Sequence, residues 1–403
     1  MKTLQSTLFA LLIIGLASCG EDEMKTSVIA PTEYQFERSG ASTVSFSGQT
    51  TRILMAEELV RALSDLDNPS IELLNEMYAN MSVTGDDVSP FSSDELNIST
   101  KSVRSKVAAS HDLFNTNSVE SAAIKSQLAT WMEAQVSEVA TNKEVVAAPG
   151  KAGQIADGTG TRYINAQGLE YNQAVAKGLI GGLMLDQIVN NYLSPTVLDD
   201  GDNRTDNDNE LTEEAQSYTT MEHKWDEAFG YLFGTADATD YLGSVGDGDS
   251  FLNKYLGRVI GDDDFSNMAT EIYEAFKLGR AAIVAKDYQL RDEQANILKG
   301  LLSELVGIRA VYYLQQSKIQ LASNLGGAFH GLSEGYGFIY SLRFTRAANS
   351  TDALFSRDEV DGYLSSLMND GANGFWNLTP ATLDQLSQDI AAKFDFTVAQ
   401  AAE

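Results

Sequence analysis

Cys19 is the only cysteine in this chain of 403 residues, and this limits how the protein can be held together. One thiol cannot form a disulfide within the chain, and it cannot supply a metal site built from several thiolates. The fold must therefore be stabilised by a buried apolar core. With 43% hydrophobic residues, the chain can form one large domain or two moderate ones.

The first residues have the pattern of an export signal. Lys2 is followed by an apolar run from Leu8 to Ala17. Such a run is too short to cross a bilayer core, which needs roughly 20 apolar residues, but it fits the apolar region of a signal peptide. We therefore predict a signal peptide over residues 1–18, with an ordinary secretory signal and an incidental cysteine as the alternative.

The residues around the cysteine indicate a lipid anchor. Leu16-Ala17-Ser18-Cys19 resembles the lipobox of bacterial lipoproteins, which implies cleavage after residue 18 and diacylation of Cys19. The acidic residues that follow, Gly20-Glu21-Asp22-Glu23, resemble the export signal of some surface-exposed lipoproteins. We expect residues 19–50 to be a lipidated tether with an extended segment. The predicted location is the bacterial cell envelope, at the outer membrane. The acidic residues after Cys19 favour outward display, and a periplasmic orientation is the alternative.

The net charge of the chain limits the classes of molecule that it can bind. Asp and Glu number 57 against 28 Lys and Arg, and the net charge is −29. Such a surface repels nucleic acid and anionic membranes. We therefore expect no nucleic-acid partner and a membrane contact through the lipid alone. A small ligand, a metal ion or another envelope protein remains as a possible partner.

Helical periodicity dominates after residue 50. Residues 169–193 carry Val175, Leu179 and Leu183 in steps of four, and there are only six prolines in the chain. Ser356 with Glu359 has capping-box spacing, and Thr379 precedes a proline at a first helical position. We predict an all-α body over residues 51–403.

Three segments depart from this helical pattern. Tyr34-Gln35-Phe36 and Val44-Ser45-Phe46 alternate with period two, which predicts a short extended N-terminal segment. Residues 146–168 are rich in glycine and predict a loop. The acidic run from Asp199 to Glu210 predicts a solvated loop.

An internal repeat indicates a duplicated helical bundle. His-Lys-Trp-Asp-Glu-Ala-Phe-Gly-Tyr-Leu-Phe begins at His223, and His-Gly-Leu-Ser-Glu-Gly-Tyr-Gly-Phe-Ile-Tyr begins at His330, an offset of 330 − 223 = 107. Upstream, Lys177-Gly178-Leu179-Ile180 matches Lys299-Gly300-Leu301-Leu302 at an offset of 122. We predict repeat copies near residues 169–234 and 292–343.

Each copy places a histidine, a glutamate and a glycine on one helix face. The first stripe is His223, Glu227 and Gly230, and the second stripe is His330, Glu334 and Gly337. Glycine within a helix costs about 1 kcal/mol relative to alanine, so we expect another part of the protein to pack closely against Gly230 and Gly337.

The two stripes suggest a shared polar cleft. If the copies pack about a pseudo-twofold axis, both stripes meet there, with Asp226 beside the first. The cleft candidates are then His223, Asp226, Glu227, His330 and Glu334, a ligand set suited to iron or zinc. The alternative is a His/Glu pair on each helix surface, worth ~0.2–0.5 kcal/mol without any ligand.

The chain also resembles a known family. The segments that carry the resemblance are Ser47-Gly48-Gln49-Thr50-Thr51-Arg52, Met221 to Tyr231 and His330 to Leu342. They are similar to the imelysin-like lipoproteins grouped as domain of unknown function 4856. The resemblance implies a duplicated helical bundle, and several members of the wider group are linked to iron uptake or labelled metallopeptidases. That group's Gly-x-His-x-x-Glu motif is altered here, because Met221 stands where the glycine would and Asp226 where the acid would.

We expect a non-enzymatic envelope lipoprotein of imelysin-like type that binds a ligand or metal, with a link to iron acquisition. An interaction or structural subunit of a cell-surface complex is the alternative. A metallopeptidase is the least favoured, because the chain lacks a His-Glu-x-x-His motif. A weak calcium site is possible at Asp200, Asp202, Asp206 and Asp208, although the glycine of an EF-hand loop is missing.

Overall fold

A computed structural model describes residues 27–347, 350, 352–368 and 373–403. The predicted signal peptide, Cys19 and the first residues of the tether lie outside the described residues. The expected all-α architecture is confirmed, because the strands of the described part form only two antiparallel two-stranded hairpins.

The helices and strands follow one another as an extended N-terminal segment, a first group of helices, a hairpin and a long second group of helices. The strands are β1 Glu37–Arg38, β2 Ala41–Ser42, β3 Gly153–Asp157 and β4 Gly160–Ile164. The α-helices before β3 are α1 Ser47–Ser64, α2 Ile71–Ala79, α3 Asp94–Asn97, α4 Val103–Lys106, α5 His111–Phe114 and α6 Ser118–Ala134. Those after β4 are α7 Tyr171–Leu179, α8 Pro195–Leu198, α9 Asn203–Asp208, α10 Thr220–Phe233, α11 Leu252–Val259, α12 Met268–Val284, α13 Tyr288–Gln320, α14 Leu325–Ser341, α15 Arg357–Leu367, α16 Pro380–Ala391 and α17 Val398–Ala401.

Short turns of other helix types extend several of these helices. Within the described ranges, three are π-helical, Gln135–Val139, Ile180–Leu185 and Ile188–Tyr192, and four are 3₁₀-helical, Ala140–Asn142, Asp263–Phe265, Leu342–Phe344 and Gly374–Asn377. The helix predicted over residues 169–193 is therefore present, but only its first part is α-helical.

The core is built around α13, which has 33 residues. The side chain of Asp287 caps its start by accepting a hydrogen bond from the backbone N–H of Leu290. α12, α14 and α16 pack against α13, and α7 packs against α14. Leu298, Leu302 and Leu305 of α13 are completely buried in this core. On another side, α1 packs against α10, so each predicted stripe lies on a helix that contacts a different neighbour.

The extended N-terminal segment is confirmed as the β1–β2 hairpin and its flanks, which we call the strap (residues 31–46). Tyr34 stacks on Phe229 of α10 with ring centroids 3.7 Å apart. Lys277 of α12 donates to the backbone carbonyl of Thr32 at 2.8 Å. The strap is therefore fixed to α10 and α12, and the helical body begins at Ser47 rather than at residue 51.

Two segments predicted as loops contain regular structure. Residues 146–168 include the β3–β4 hairpin, in which Gly153 has φ 154° and its backbone approaches Val145 too closely for any Cβ. The acidic run contains the whole of α9, which begins at Asn203 and ends at Asp208. Asn207 donates to the carbonyl of Ile283 at 2.9 Å and so ties α9 to the end of α12.

Candidate ligand cavity and the two stripes

The first stripe lies on α10. A capping box starts this helix, because Thr219 and Glu222 each accept a hydrogen bond from the other's backbone N–H. The half-buried His223 donates from Nδ1 to the carbonyl oxygen of Ser45 at 3.0 Å. Its ring also stacks on Tyr218 at 4.5 Å between centroids. Protein groups thus fix both the orientation and the Nδ1 proton of His223.

Glu227, one turn further along α10, is also occupied by protein groups. Gln49 donates to its carboxylate at 2.9 Å, and the Lys224 ammonium donates at 3.1 Å. Burial acts to raise the pKa of Glu227, but Lys224 and His223 reverse this effect and lower the pKa below its usual value. Glu227 is therefore an ionised carboxylate with partners on α1 and α10.

Asp226 is part of a buried charged network. Its carboxylate is completely buried and accepts hydrogen bonds from Tyr34 Oη at 2.7 Å and Arg280 Nε at 3.0 Å. Arg280 is also fully buried and donates to Glu222 at 3.1 Å. Removing one member of a buried pair costs ~3–5 kcal/mol, because it leaves an uncompensated charge. The network joins the strap, α10 and α12, which indicates a structural role for Asp226.

The second stripe lies on α14 and has different partners. His330 Nδ1 lies 3.2 Å from each carboxylate oxygen of Glu170. Glu334 forms an ion pair with Lys177 at 2.7 Å and accepts a hydrogen bond from Tyr255 Oη at 3.0 Å. Burial acts to raise the pKa of Glu334, but Lys177 and His330 lower it to about 2.

Another part of the protein packs closely against both predicted glycines. A Cβ added at Gly230 would lie 2.4 Å from Cβ of Phe46, just before α1. A Cβ added at Gly337 would lie 2.5 Å from Cβ of Lys177 in α7 and 3.1 Å from the carbonyl oxygen of Ala174. Glycine is needed at both positions because it allows these backbones to approach.

The helices that carry the two stripes, α10 and α14, make parallel contacts with the residues just before two other helices. The backbone N–H of Ser45, before α1, donates to Asp226 at 3.3 Å, and the N–H of Glu170, before α7, donates to Ser333 at 2.9 Å. Asp226 and Ser333 are 333 − 226 = 107 residues apart, the offset of the repeat. By these contacts, the counterpart of α7 is α1. The sequence instead matched Lys177 of α7 with Lys299 of α13.

The shared cleft predicted for the two stripes is therefore replaced by two separate environments. Each stripe packs against its own helix, and the cavity lined by His330 and Glu334 is not lined by His223, Asp226 or Glu227. Across the part of the chain that the structure describes, no group of three or more His, Cys, Asp or Glu side chains is arranged to hold a metal ion.

The four aspartates of the weak calcium prediction do not converge either. Asp200 and Asp202 are exposed, and Asp202 precedes α9. Asp206 lies within α9, and Asp208 at its end accepts a hydrogen bond from Tyr288 at 2.6 Å. The neighbouring Asp199 instead forms ion pairs with two arginines.

A cavity of about 680 Å³ opens beside the second stripe, between α11, α13 and α14. Its inner wall is formed by Tyr255, Arg309, Tyr312, Tyr313, His330 and Glu334. Arg309 is only 5% exposed, and its guanidinium lies over the rings of Tyr312 at 4.0 Å and Tyr313 at 4.7 Å. This volume falls within the ~300–1,000 Å³ typical of small-molecule sites.

Sequence reasoning identified His330 and Glu334 but missed the other residues of the inner wall, among them Arg309. Arg309 stands in the apolar stretch Leu305-Val306-Gly307-Ile308-Arg309-Ala310-Val311. A charge inside such a stretch was the available signal, because buried charges need partners or a function.

The comparisons with known proteins give one match. The family model described as a domain of unknown function, DUF4856, matches residues 31–397. The chain belongs to the DUF4856 family. No curated protein matches the chain, and no solved structure matches it. The DUF4856 match includes the strap, both stripes and the inner wall of the cavity.

One further property of this DUF4856 protein concerns membranes. Among the residues that the structure describes, none of the helices combines the length and apolar character needed to span a bilayer.

Proposed function

We propose that this protein is a non-enzymatic, lipid-anchored envelope protein of imelysin-like type that binds a small ligand in the cavity beside His330 and Glu334. The observation that carries the proposal is the cavity itself, because its volume of about 680 Å³ and its converging polar groups suit a small polar molecule.

The chemistry of Glu334 favours binding over catalysis. General acid–base catalysis works best with a group whose pKa lies near the working pH. Lys177 forms an ion pair with Glu334, and the pKa of Glu334 is about 2, so this carboxylate holds no proton near neutral pH. It is suited to positioning Lys177, Tyr255 and a ligand rather than to transferring protons.

Ligand binding is tested by closing the cavity. Gly261 lines the cavity, and Gly261→Trp should obstruct it. The matched control is Gly362→Trp, because Gly362 is exposed and a Cβ added there would meet no atom of the described residues within 4 Å. Native mass spectrometry of gently purified protein should show a bound small molecule in the wild type and in the control, but not in Gly261→Trp. Equal occupancy in all three would contradict the proposed cavity.

The link to iron is tested by metal analysis of the same samples. We propose that any role in iron acquisition acts through the bound ligand, since the two stripes pack against separate helices. Elemental analysis should then find less than stoichiometric iron and zinc after dialysis. A stoichiometric metal lost together in His223→Ala and His330→Ala would support the shared metal cleft and refute our proposal. A co-purifying protein without any small ligand would favour the interaction subunit.

The lipid anchor rests on the sequence around Cys19. Because Cys19 is the only thiol, Cys19→Ala should abolish incorporation of a radioactive fatty acid and release the protein from the membrane fraction. The helical circular dichroism spectrum should not change, since Cys19 precedes the strap. Labelled Cys19→Ala protein would rule out this anchor. Protease treatment of intact cells distinguishes outward display at the outer membrane from a periplasmic orientation.

A further inference from the structure

We infer that the ligand of this cavity carries an oxyanion, either a carboxylate or a phosphate, and that Arg309 binds it. This inference rests on the proposed function, because it names the chemistry of the ligand for the same cavity.

Arg309 lies against aromatic rings, but its Nε–H lacks an acceptor in the part of the chain that the structure describes. The guanidinium lies over Tyr312, Tyr313 and Tyr255, at 4.0, 4.7 and 5.5 Å from the ring centroids. These rings can stabilise the positive charge, but they do not replace hydrogen-bond acceptors. The Nε atom is buried and has no hydrogen-bond partner among the described residues. An arginine cannot lose its proton to relieve this situation.

Other buried arginines of the protein are partnered. Arg280 contacts Asp226 at 3.0 Å, and Arg291 contacts Asp199 at 2.7 Å. Arg346 donates from Nε to Asn190 and lies 3.5 Å from Asp112, although its two terminal nitrogens have no hydrogen-bond partner among the described residues. Arg52 donates to the backbone carbonyls of Gly48 and Ser102. Arg309 differs from all of these because it faces a cavity large enough for an external acceptor.

The carboxylate within the cavity is already engaged. Glu334 is paired with Lys177 at 2.7 Å and accepts from Tyr255 at 3.0 Å. Lys177 therefore offsets the negative charge of Glu334, and Arg309 is left to attract a further negative group. The edge of a planar guanidinium donates two parallel hydrogen bonds to a carboxylate or a phosphate, which is the strongest complement for this side chain.

The rim of the cavity carries charges of both signs. Lys254 and Arg258 lie one helical turn apart on α11 and line the cavity, which favours the approach of an anion. Asp262 and Asp263 also line it, but the Asp262 side chain accepts from the backbone N–H of Asp264 at 2.9 Å. Glu403 is an exposed rim residue as well. Because Arg309 is buried, its attraction for a ligand is screened less than that of the rim residues, so it should determine ligand choice more than the rim does.

The test uses three probes that share a phenyl ring: benzoate, phenyl phosphate and benzamide, which is the neutral isostere of benzoate. Isothermal titration should show that benzoate or phenyl phosphate binds the wild-type protein at least tenfold more tightly than benzamide. The stronger of the two anions identifies the oxyanion. Arg309→Met should weaken anion binding at least tenfold and leave benzamide binding unchanged. Arg61→Met, at an exposed arginine of α1 outside the cavity, is the matched control and should bind like wild type.

Arg309→Lys keeps the charge but loses the paired donors, and it covers the case in which Arg309→Met does not fold. It should retain the wild-type circular dichroism spectrum and bind the preferred anion more weakly. Equal binding of benzamide and both anions, no binding of either anion, or unaltered anion binding in both Arg309 variants would overturn the inference. The proposed function would survive these results if a native small molecule still occupied the cavity and was absent from Gly261→Trp. It would fail separately if no molecule were found there.

Discussion

Replacing Gly337 by alanine tests the close contact between α14 and α7. The new Cβ would lie 2.5 Å from Cβ of Lys177 and 3.1 Å from the carbonyl oxygen of Ala174. Carbon atoms in contact are normally about 3.5–4.0 Å apart. Both obstructing atoms belong to or adjoin the α7 backbone, so no flexible side-chain end can turn aside. The helices must separate by about 1 Å at this point.

The expected magnitude follows from two opposing effects. Overpacking of this kind costs ~1–3 kcal/mol, and separation of the helices also stretches the ion pair of Lys177 with Glu334. Alanine regains ~1 kcal/mol of helix propensity relative to glycine. We expect a net loss of up to ~2 kcal/mol in the free energy of unfolding.

Urea unfolding followed by circular dichroism measures this free energy, and Gly362→Ala provides the control. Gly362 lies in α15 and a Cβ there meets no atom of the described residues within 4 Å, so this substitution should stabilise the protein by up to ~1 kcal/mol. The sign of the effect should thus differ between two helical glycines. If Gly337→Ala stabilises the protein as much as Gly362→Ala does, the close approach of α7 is refuted.

Three further predictions follow from the same contacts. His223→Ala and His330→Ala remove hydrogen bonds to different partners, so their effects on the free energy of unfolding should add within ~0.5 kcal/mol. A double-mutant cycle measures this, and a larger coupling energy would argue for a shared site. Burial raises the pKa of Asp249 to about 7, well above its unfolded value of ~3.9. The contribution of Asp249 to the free energy of unfolding is therefore fully present below pH ~4 and is lost as pH rises to about 7. Asp249→Asn should consequently be more stable than wild type at pH 8 but not at pH 4. Urea unfolding at both pH values checks this. Asp199→Asn removes the ion pair between Asp199 and the buried Arg291 and should lower the free energy of unfolding by ~1–2 kcal/mol. Asp200 is exposed, so Asp200→Asn should change this free energy by less than ~0.5 kcal/mol. Equal effects of the two substitutions would mean that the acidic run is only a solvated loop.

The parts of the fold that depend on local interactions could be predicted from the sequence. Ser356 and Glu359 form the predicted capping box at the start of α15. Thr379 caps α16, with Pro380 at its first helical position. These signals involve residues within one helical turn of each other, so they need no knowledge of the rest of the chain.

The partners of the stripes could not be predicted, because they are distant in sequence. Gly230 correctly indicated a close approach, but Phe46, which makes it, lies 230 − 46 = 184 residues away. The repeat suggested that α7 and α13 are equivalent, yet α1 makes the contacts that correspond to those of α7. Periodicity identifies which helix face is buried, whereas the packing of all helices decides what lies against it.

The acidic run and the cavity show the same limitation. Six acidic residues between Asp199 and Glu210 favoured a solvated loop, but Arg291 and Asn207 anchor this segment to the helical body. Likewise, the wall of the cavity combines Tyr255 of α11 with Arg309 of α13, and no spacing rule relates residues of separate helices.

The strap also determines where a pull on the lipid would act. With Cys19 lipidated as proposed, the chain between the anchor and Thr32, which Lys277 holds, is 32 − 19 = 13 residues long, which at ~3.5 Å per residue reaches at most ~45 Å. Tyr34 is hydrogen-bonded to Asp226, and Asp226 to Arg280, deep between α10 and α12. Tension on the tether would therefore act first on the hydrogen bond from Lys277 to Thr32 and then on these buried charges, before it reached α1. A tether of this length would keep the helical body within the layer of solvent next to its own membrane.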